Sequence, residues 1–172
     1  MKKSILLLFA AFATLVANAE KVEIDGIWYN LESEAKQAEV TYKGDYYYSY
    51  SNEYSGSITI PATVTYDGGA YSVTSIGDGA FWDCTSLTAI TLPESVTSIG
   101  DWAFSDCSSL TEIVIPIGVT TIGHSAFKGC SSLTEIIIPD SITSIDTYAF
   151  RHLLVYILHQ SLLVHLNILL LV

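Results

Sequence analysis

The chain has 172 residues, half of them hydrophobic, and a formal net charge of −11 from 18 acidic and 7 basic side chains. A surface this acidic repels phosphate backbones and anionic lipid, which argues against nucleic acid and against charge-driven membrane binding. The charge otherwise keeps the chain dispersed and names no ligand.

The chain opens on a basic pair, Lys2 and Lys3, followed by an almost unbroken apolar run from Ile5 to Val16 and the small-residue pattern Ala17-Asn18-Ala19. These are the parts of a secretory signal peptide over residues 1–19, with cleavage expected after Ala19. Spanning a bilayer would want about 20 apolar residues. No cysteine follows closely enough to carry a lipid anchor. Losing Lys2 and Lys3 with the leader takes the net charge from −11 to −13, and what remains is one domain's worth of chain.

Residues 20–57 predict an N-terminal β cap. Val22-Glu23-Ile24 alternates, Asp25-Gly26 is a hairpin turn signal, and Ile27-Trp28-Tyr29-Asn30-Leu31 continues as a second strand. Alternation resumes from Ala38 to Tyr42, and Tyr46, Tyr47, Tyr48, Tyr50 and Tyr54 then cluster in a polar stretch. Such a cluster suits either packing within the cap or a contact surface, because tyrosine is enriched at interfaces. A repeat array needs a terminal unit of this kind to keep its apolar end from water.

A 23-residue unit then repeats without a gap over 76–98, 99–121 and 122–144, with 11 of the 23 columns identical in all three copies. A partial copy, Ile145-Asp146-Thr147-Tyr148-Ala149-Phe150, follows at 145–150. Self-similarity at such a period marks a solenoid, in which each unit buries its apolar side against its neighbours. Residues 58–75 form a degenerate coil. Ile58-Thr59-Ile60-Pro61 matches Ile90-Thr91-Leu92-Pro93, and an inserted Asp67-Gly68-Gly69 between β-prone flanks predicts a hairpin.

The columns of one unit assign roles. Ile90 and Leu92 share a strand face by the period of two, and Leu87 enters the core from the preceding turn. Pro93 cannot donate to a ladder and ends the strand. Val96 and Ile99 point inward from a second short extended segment, and Asp101 to Cys107 is expected as a helical turn that buries Ala103 and Phe104. Phe81, Phe104, Phe127 and Phe150 should stack as one ladder inside, and Thr97, Thr120 and Thr143 as another outside. Cys84, Cys107 and Cys130 also fall in one column. Stacked coils put equivalent residues about 4.8 Å apart, wider than the ~3.8 Å Cβ separation of a disulfide. Buried free thiols are therefore expected.

Leu110, Ile113, Ile115, Pro116, Val119, Ile122, Gly123, Ala126, Phe127 and Cys130 meet, in turn, the pattern L-x-x-I-x-[IL]-P-x-x-[VI]-x-x-I-G-x-x-A-F-x-x-C. In this the chain resembles the BspA-type (Treponema-type) leucine-rich repeat, closely over 76–150 and loosely over 57–75. The resemblance implies a repeat solenoid, mostly β with short helical turns, wound as a right-handed coil behind a small β-meander cap. It also implies a secreted or cell-surface, non-enzymatic protein that mediates adhesion or another protein–protein contact. The partner it implies is a host extracellular-matrix or plasma protein, or another bacterial surface.

The repeat pattern fails in the tail, residues 151–172, where Arg151-His152-Leu153-Leu154-Val155 stands in place of the cysteine turn and the fourth unit's strand motif is missing. The segment holds nine leucines and three of the four histidines. Three readings are open. It is a frameshifted or truncated product, which would make the chain a fragment of a longer surface protein without independent function; or a hydrophobic capping helix; or an anchor, against which His159, Gln160, His165 and Asn167 would lie mid-span at a cost.

No arrangement of residues forms a catalytic site. The serines and threonines recur in repeat columns without a nucleophile elbow or a placed histidine. His124 shares a column with Asp78 and Asp101, which suits a solvated loop ladder better than a metal site, and no cofactor motif appears. Binding is expected instead on the outward strand positions: Ala89 and Thr91, then Glu112 and Val114, then Glu135 and Ile137. Of these, Thr91, Glu112, Val114, Glu135 and Ile137 are the candidate contact residues. They form a small apolar strip edged by acid, with Glu94, Ile117 and Asp140 beyond the prolines. Ordinary β-propensity at half-exposed sites would produce the same pattern.

Overall fold

Two type I′-like turns set the start of the fold. Asp25 and Gly26 sit at φ 51° and 79°, and Asp67 and Gly68 at 46° and 71°, the left-handed values that a two-residue hairpin needs. In the computed structural model the first turn joins β1 (Glu20–Ile24) to β2 (Ile27–Glu32), and β3 (Gln37–Thr41) adds antiparallel to β2. After β4 (Gly56–Thr59), the second turn joins β5 (Thr63–Tyr66) to β6 (Gly69–Ile76), which is the expected inserted hairpin. The structure describes residues 19–49, 53–153 and 156–159, the last four by backbone alone. Residues 1–18 of the expected leader, Tyr50 and the tail beyond His159 lie outside the described residues.

The repeats supply pairs of short strands. The first face carries β7 (Leu87–Thr91), β9 (Glu112–Ile113) and β11 (Glu135–Ile138). The second carries β8 (Ser98–Ile99), β10 (Thr121–Ile122) and β12 (Ser144–Ile145). Each second-face strand pairs in parallel with its equivalent one period away: Ser75↔Ser98, Ser98↔Thr121, Thr121↔Ser144. The cap is not a separate plug. β3 pairs in parallel with β6, so one sheet runs β1-β2-β3-β6-β8-β10-β12 from the cap through the last repeat.

Between the faces, the segment expected as a helical turn is a run of single turns of the i→i+3 kind. Ser105 N–H donates to Trp102 C=O at 3.0 Å and Cys107 N–H to Phe104 C=O at 3.2 Å. A helix cannot continue because two residues per coil, Trp102 and Asp106 in the second, have φ of 52° and 62°. The geometry turns alternate amides along the stack instead. Trp102, Phe104 and Asp106 donate to the carbonyls of His124, Ala126 and Lys128 at 2.7–2.8 Å. The turn thereby becomes a third hydrogen-bonded side.

Inside, Phe81, Phe104, Phe127 and Phe150 stack nearly parallel, with centroids 5.1, 5.2 and 5.6 Å apart. Tyr54 continues this column into the cap, 4.9 Å from Phe81. The three cysteines are buried and free; Cys107 and Cys130 aim their thiols at the carbonyls of Phe81 and Phe104, at 3.0 and 3.1 Å. Outside, the Thr97, Thr120 and Thr143 hydroxyls each donate to the carbonyl of the threonine one coil earlier, at 3.1–3.2 Å.

The fourth unit departs from expectation. Although its strand motif is missing, β13 (Tyr156–His159) pairs in parallel with β11 from Glu135↔Tyr156 to Ile138↔His159. The partners are 21 residues apart, two short of the period. Parallel pairing uses backbone groups alone, so the open edge of β11 accepts an extended segment that lacks the repeat's side chains. Among the described residues no helix is long and apolar enough to cross a membrane; the helical-cap and anchor readings concern a tail that lies mostly outside them.

Candidate functional site

The first strand face is built by the period-two alternation of each repeat. Ile113, Ile115, Ile136 and Ile138 point inward and are buried, while Thr91, Glu112, Val114, Glu135 and Ile137 point outward and are exposed, as expected. Pro93, Pro116 and Pro139 close the strand segment, and their carbonyls accept the N–H of Val96, Val119 and Ile142 at 3.0–3.2 Å. This tight turn brings Ile117, just after Pro116, back out to solvent. Val114 is 64% exposed, Ile117 72% and Ile137 42%. They account for three of the six large hydrophobic side chains exposed among the described residues; the others are Tyr46, Tyr48 and Tyr148.

The ladder on this face has a break that the repeat columns do not announce. β4, β7 and β9 pair in sequence, with Ala89↔Glu112 and Ile90↔Ile113, and β11 pairs with β13. No ladder joins β9 to β11, although the opposite face runs unbroken through β8, β10 and β12. Thr88 C=O accepts both the N–H and the hydroxyl of Thr111, each at 3.0 Å. Thr111 C=O and Thr134 N–H, one coil on, make no such bond among the described residues. A groove of about 330 Å³ lies over the break, lined by Thr111, Glu112, Ile113, Val114, Thr134, Glu135 and Ile137. Four of the five candidate residues thus meet in one place. Thr91 stays on the intact ladder beside it.

The other candidates resolve into structural roles. Asp78 Oδ1 accepts the N–H of Asp101 at 2.8 Å, and Asp101 Oδ1 accepts that of His124 at 2.7 Å. These carboxylates cap the backbone of the next coil. His124 itself contacts Thr147 Oγ1 through Nδ1 at 2.8 Å and stands edge-on between Trp102 and Tyr148. Among the described residues no cluster of metal-ligating side chains forms.

The tyrosine cluster divides. Tyr54 is buried, its hydroxyl donating to Thr41 C=O and accepting from Trp28 N–H, both at 3.1 Å. Tyr47 packs against Trp82 and Trp102, in the space left at Gly79, where a Cβ would come within 2.5 Å of the Tyr47 ring. Tyr46 and Tyr48 stack on each other and are exposed.

A family profile described as the BspA type leucine-rich repeat region matches residues 44–158 in six copies. Among solved structures, a leucine-rich repeat protein from Bacteroides ovatus is similar at 33% identity and a TM-score of 0.68, over 80% of this chain and 37% of its own. A second, from Bacteroides capillosus, is similar at 30% identity and 0.64, over 80% of this chain and 97% of its own. A leucine-rich repeat protein of T. pallidum shares the fold at 24% identity and 0.56, over 77% and 67%. The chain thus spans little more than a third of the length of the Bacteroides ovatus protein. No curated protein matches the sequence significantly.

Proposed function

The chain belongs to the BspA-type leucine-rich repeat family, and from that premise we propose that it is an exported binding protein, not an enzyme, that holds a protein ligand on its first strand face. Leucine-rich repeats generally serve protein–protein interaction. The observation that carries the reading here is the gathering of the exposed Val114 and Ile137 in one solvent-facing groove. Exposed apolar side chains that share a face and are rimmed by polar groups are the usual mark of an interaction site. The carboxylates of Glu112 and Glu135 border them and give the surface a sign as well as a shape.

Secretion or display at the cell surface is the second half of the proposal and rests on the leader-like start. A mature chain that begins at Glu20 by mass spectrometry supports it; an intact Met1 on a chain confined to the cytoplasmic fraction removes it. For the ligand we propose a host extracellular-matrix or plasma protein, or another bacterial surface. The test is binding of the purified chain to immobilised matrix and plasma proteins and to whole bacteria, beside a Val114→Lys plus Ile137→Lys variant. Loss of binding in the variant, with an unchanged circular dichroism spectrum, is the expected result. Equal binding by both proteins would remove the strand face from the mechanism.

A further inference from the structure

We infer that the break between β9 and β11 is a receptor for a short extended segment of the partner, one that alternates basic and apolar side chains. The inference rests on the strand-face reading and deepens it by naming what the face takes.

Three observations converge. The first is the interruption itself. Coils that stay in register on the opposite face, Ser98↔Thr121↔Ser144, form no ladder between β9 and β11 on this one, and Thr111 and Thr134 line the groove there. A backbone acceptor and donor that make no bond to each other among the described residues can bond the main chain of a segment laid over them instead. The second is the spacing of the outward side chains. Glu112 and Val114, like Glu135 and Ile137, lie two residues apart on an extended backbone, about 6.6 to 7 Å. An extended segment laid along the groove offers its own alternate side chains at the same interval. A basic residue two positions from an apolar one therefore meets a glutamate and an aliphatic side chain together.

The third observation is charge. Both outward positions before the apolar pair are glutamate, in a chain of net charge −11. An acidic segment is repelled, and a neutral one gains no charge–charge attraction from either carboxylate. Electrostatic complementarity of this kind selects the partner and speeds encounter more than it adds affinity. The occupant is therefore a cationic stretch of protein chain.

Fluorescence anisotropy with three labelled synthetic peptides tests this on the full chain: one repeating Lys-Ser-Ile-Ser, one of the same composition with the lysines and isoleucines in separate blocks, and one repeating Glu-Ser-Ile-Ser. The alternating cationic peptide is expected to bind at least about tenfold more tightly than either control, and to weaken by about as much in high salt, where exposed charges are screened. Glu112→Gln plus Glu135→Gln is expected to abolish the preference for lysine over glutamate. The Thr134 amide should exchange with deuterium more slowly in the complex. Equal binding of the blocked peptide reduces the effect to bulk charge and overturns the inference, as does an unprotected Thr134 amide.

The two readings fail separately. If no peptide binds while Val114→Lys plus Ile137→Lys still loses the matrix, plasma or bacterial ligand, only the cationic segment falls. If peptide and ligand both bind that variant as they bind the wild type, the strand face itself is wrong.

Discussion

The single residues that set this protein's chemistry are mostly engaged in structure. Burial pushes the Cys84 thiol up to about 11 and that of Cys130 to about 12, with Cys107 also raised well above the ordinary value. A thiol reacts as its thiolate, so all three should resist a disulfide reagent at pH 8 in the native chain and react together after denaturation, as a time course of thiol titration would show. Fast labelling of Cys107 in the folded protein would contradict the ladder. Phe127 is held between Phe104 and Phe150 and is fully buried. Phe127→Ala should cost about 3–5 kcal/mol, read as a shift in the denaturant midpoint. Both roles follow from column position, which is why period and residue type were enough to assign them.

At the scale of elements, the decisive contact is between cap and first coil. Tyr54 packs its tilted ring against Phe81 and bonds both Thr41 and Trp28, so one side chain ties β2 and β3 to the aromatic column. Tyr54→Phe keeps the ring and strands a buried backbone donor and acceptor, which should cost about 1–3 kcal/mol. Calorimetry of the variant checks this, and an unchanged transition would mean that water replaces the hydroxyl. Sequence reasoning placed Tyr54 only in a cluster, because it lies outside the 23-residue period and its partners are 13 and 26 residues away. The two hairpins were legible, since Asp-Gly at a two-residue turn is a local signal. The parallel pairing of β3 with β6 was not, because nothing local to either strand names a partner more than 30 residues away.

For the whole molecule, the consequence is cooperativity. A repeat array gains stability from nearest-neighbour contacts and can unfold from an end, but here a single sheet runs from β1 to β12. Trp28 reports on the cap, and Trp82 and Trp102 on the coils. Variants that retain one set or the other should melt at one midpoint by fluorescence, and separate midpoints would show the cap to be an independent unit. The alternation of apolar residues, the turns and the repeat period were enough to read the coil, the inward and outward faces and the five candidate residues, because each depends on neighbours along the chain. The tertiary structure alone decided that four of those five line one groove, that β9 and β11 do not pair, and that β13 does pair without the motif. Columns that repeat predict coils that repeat. Whether two coils close or part depends on the summed fit of every side chain between them, and that sum is settled only in three dimensions.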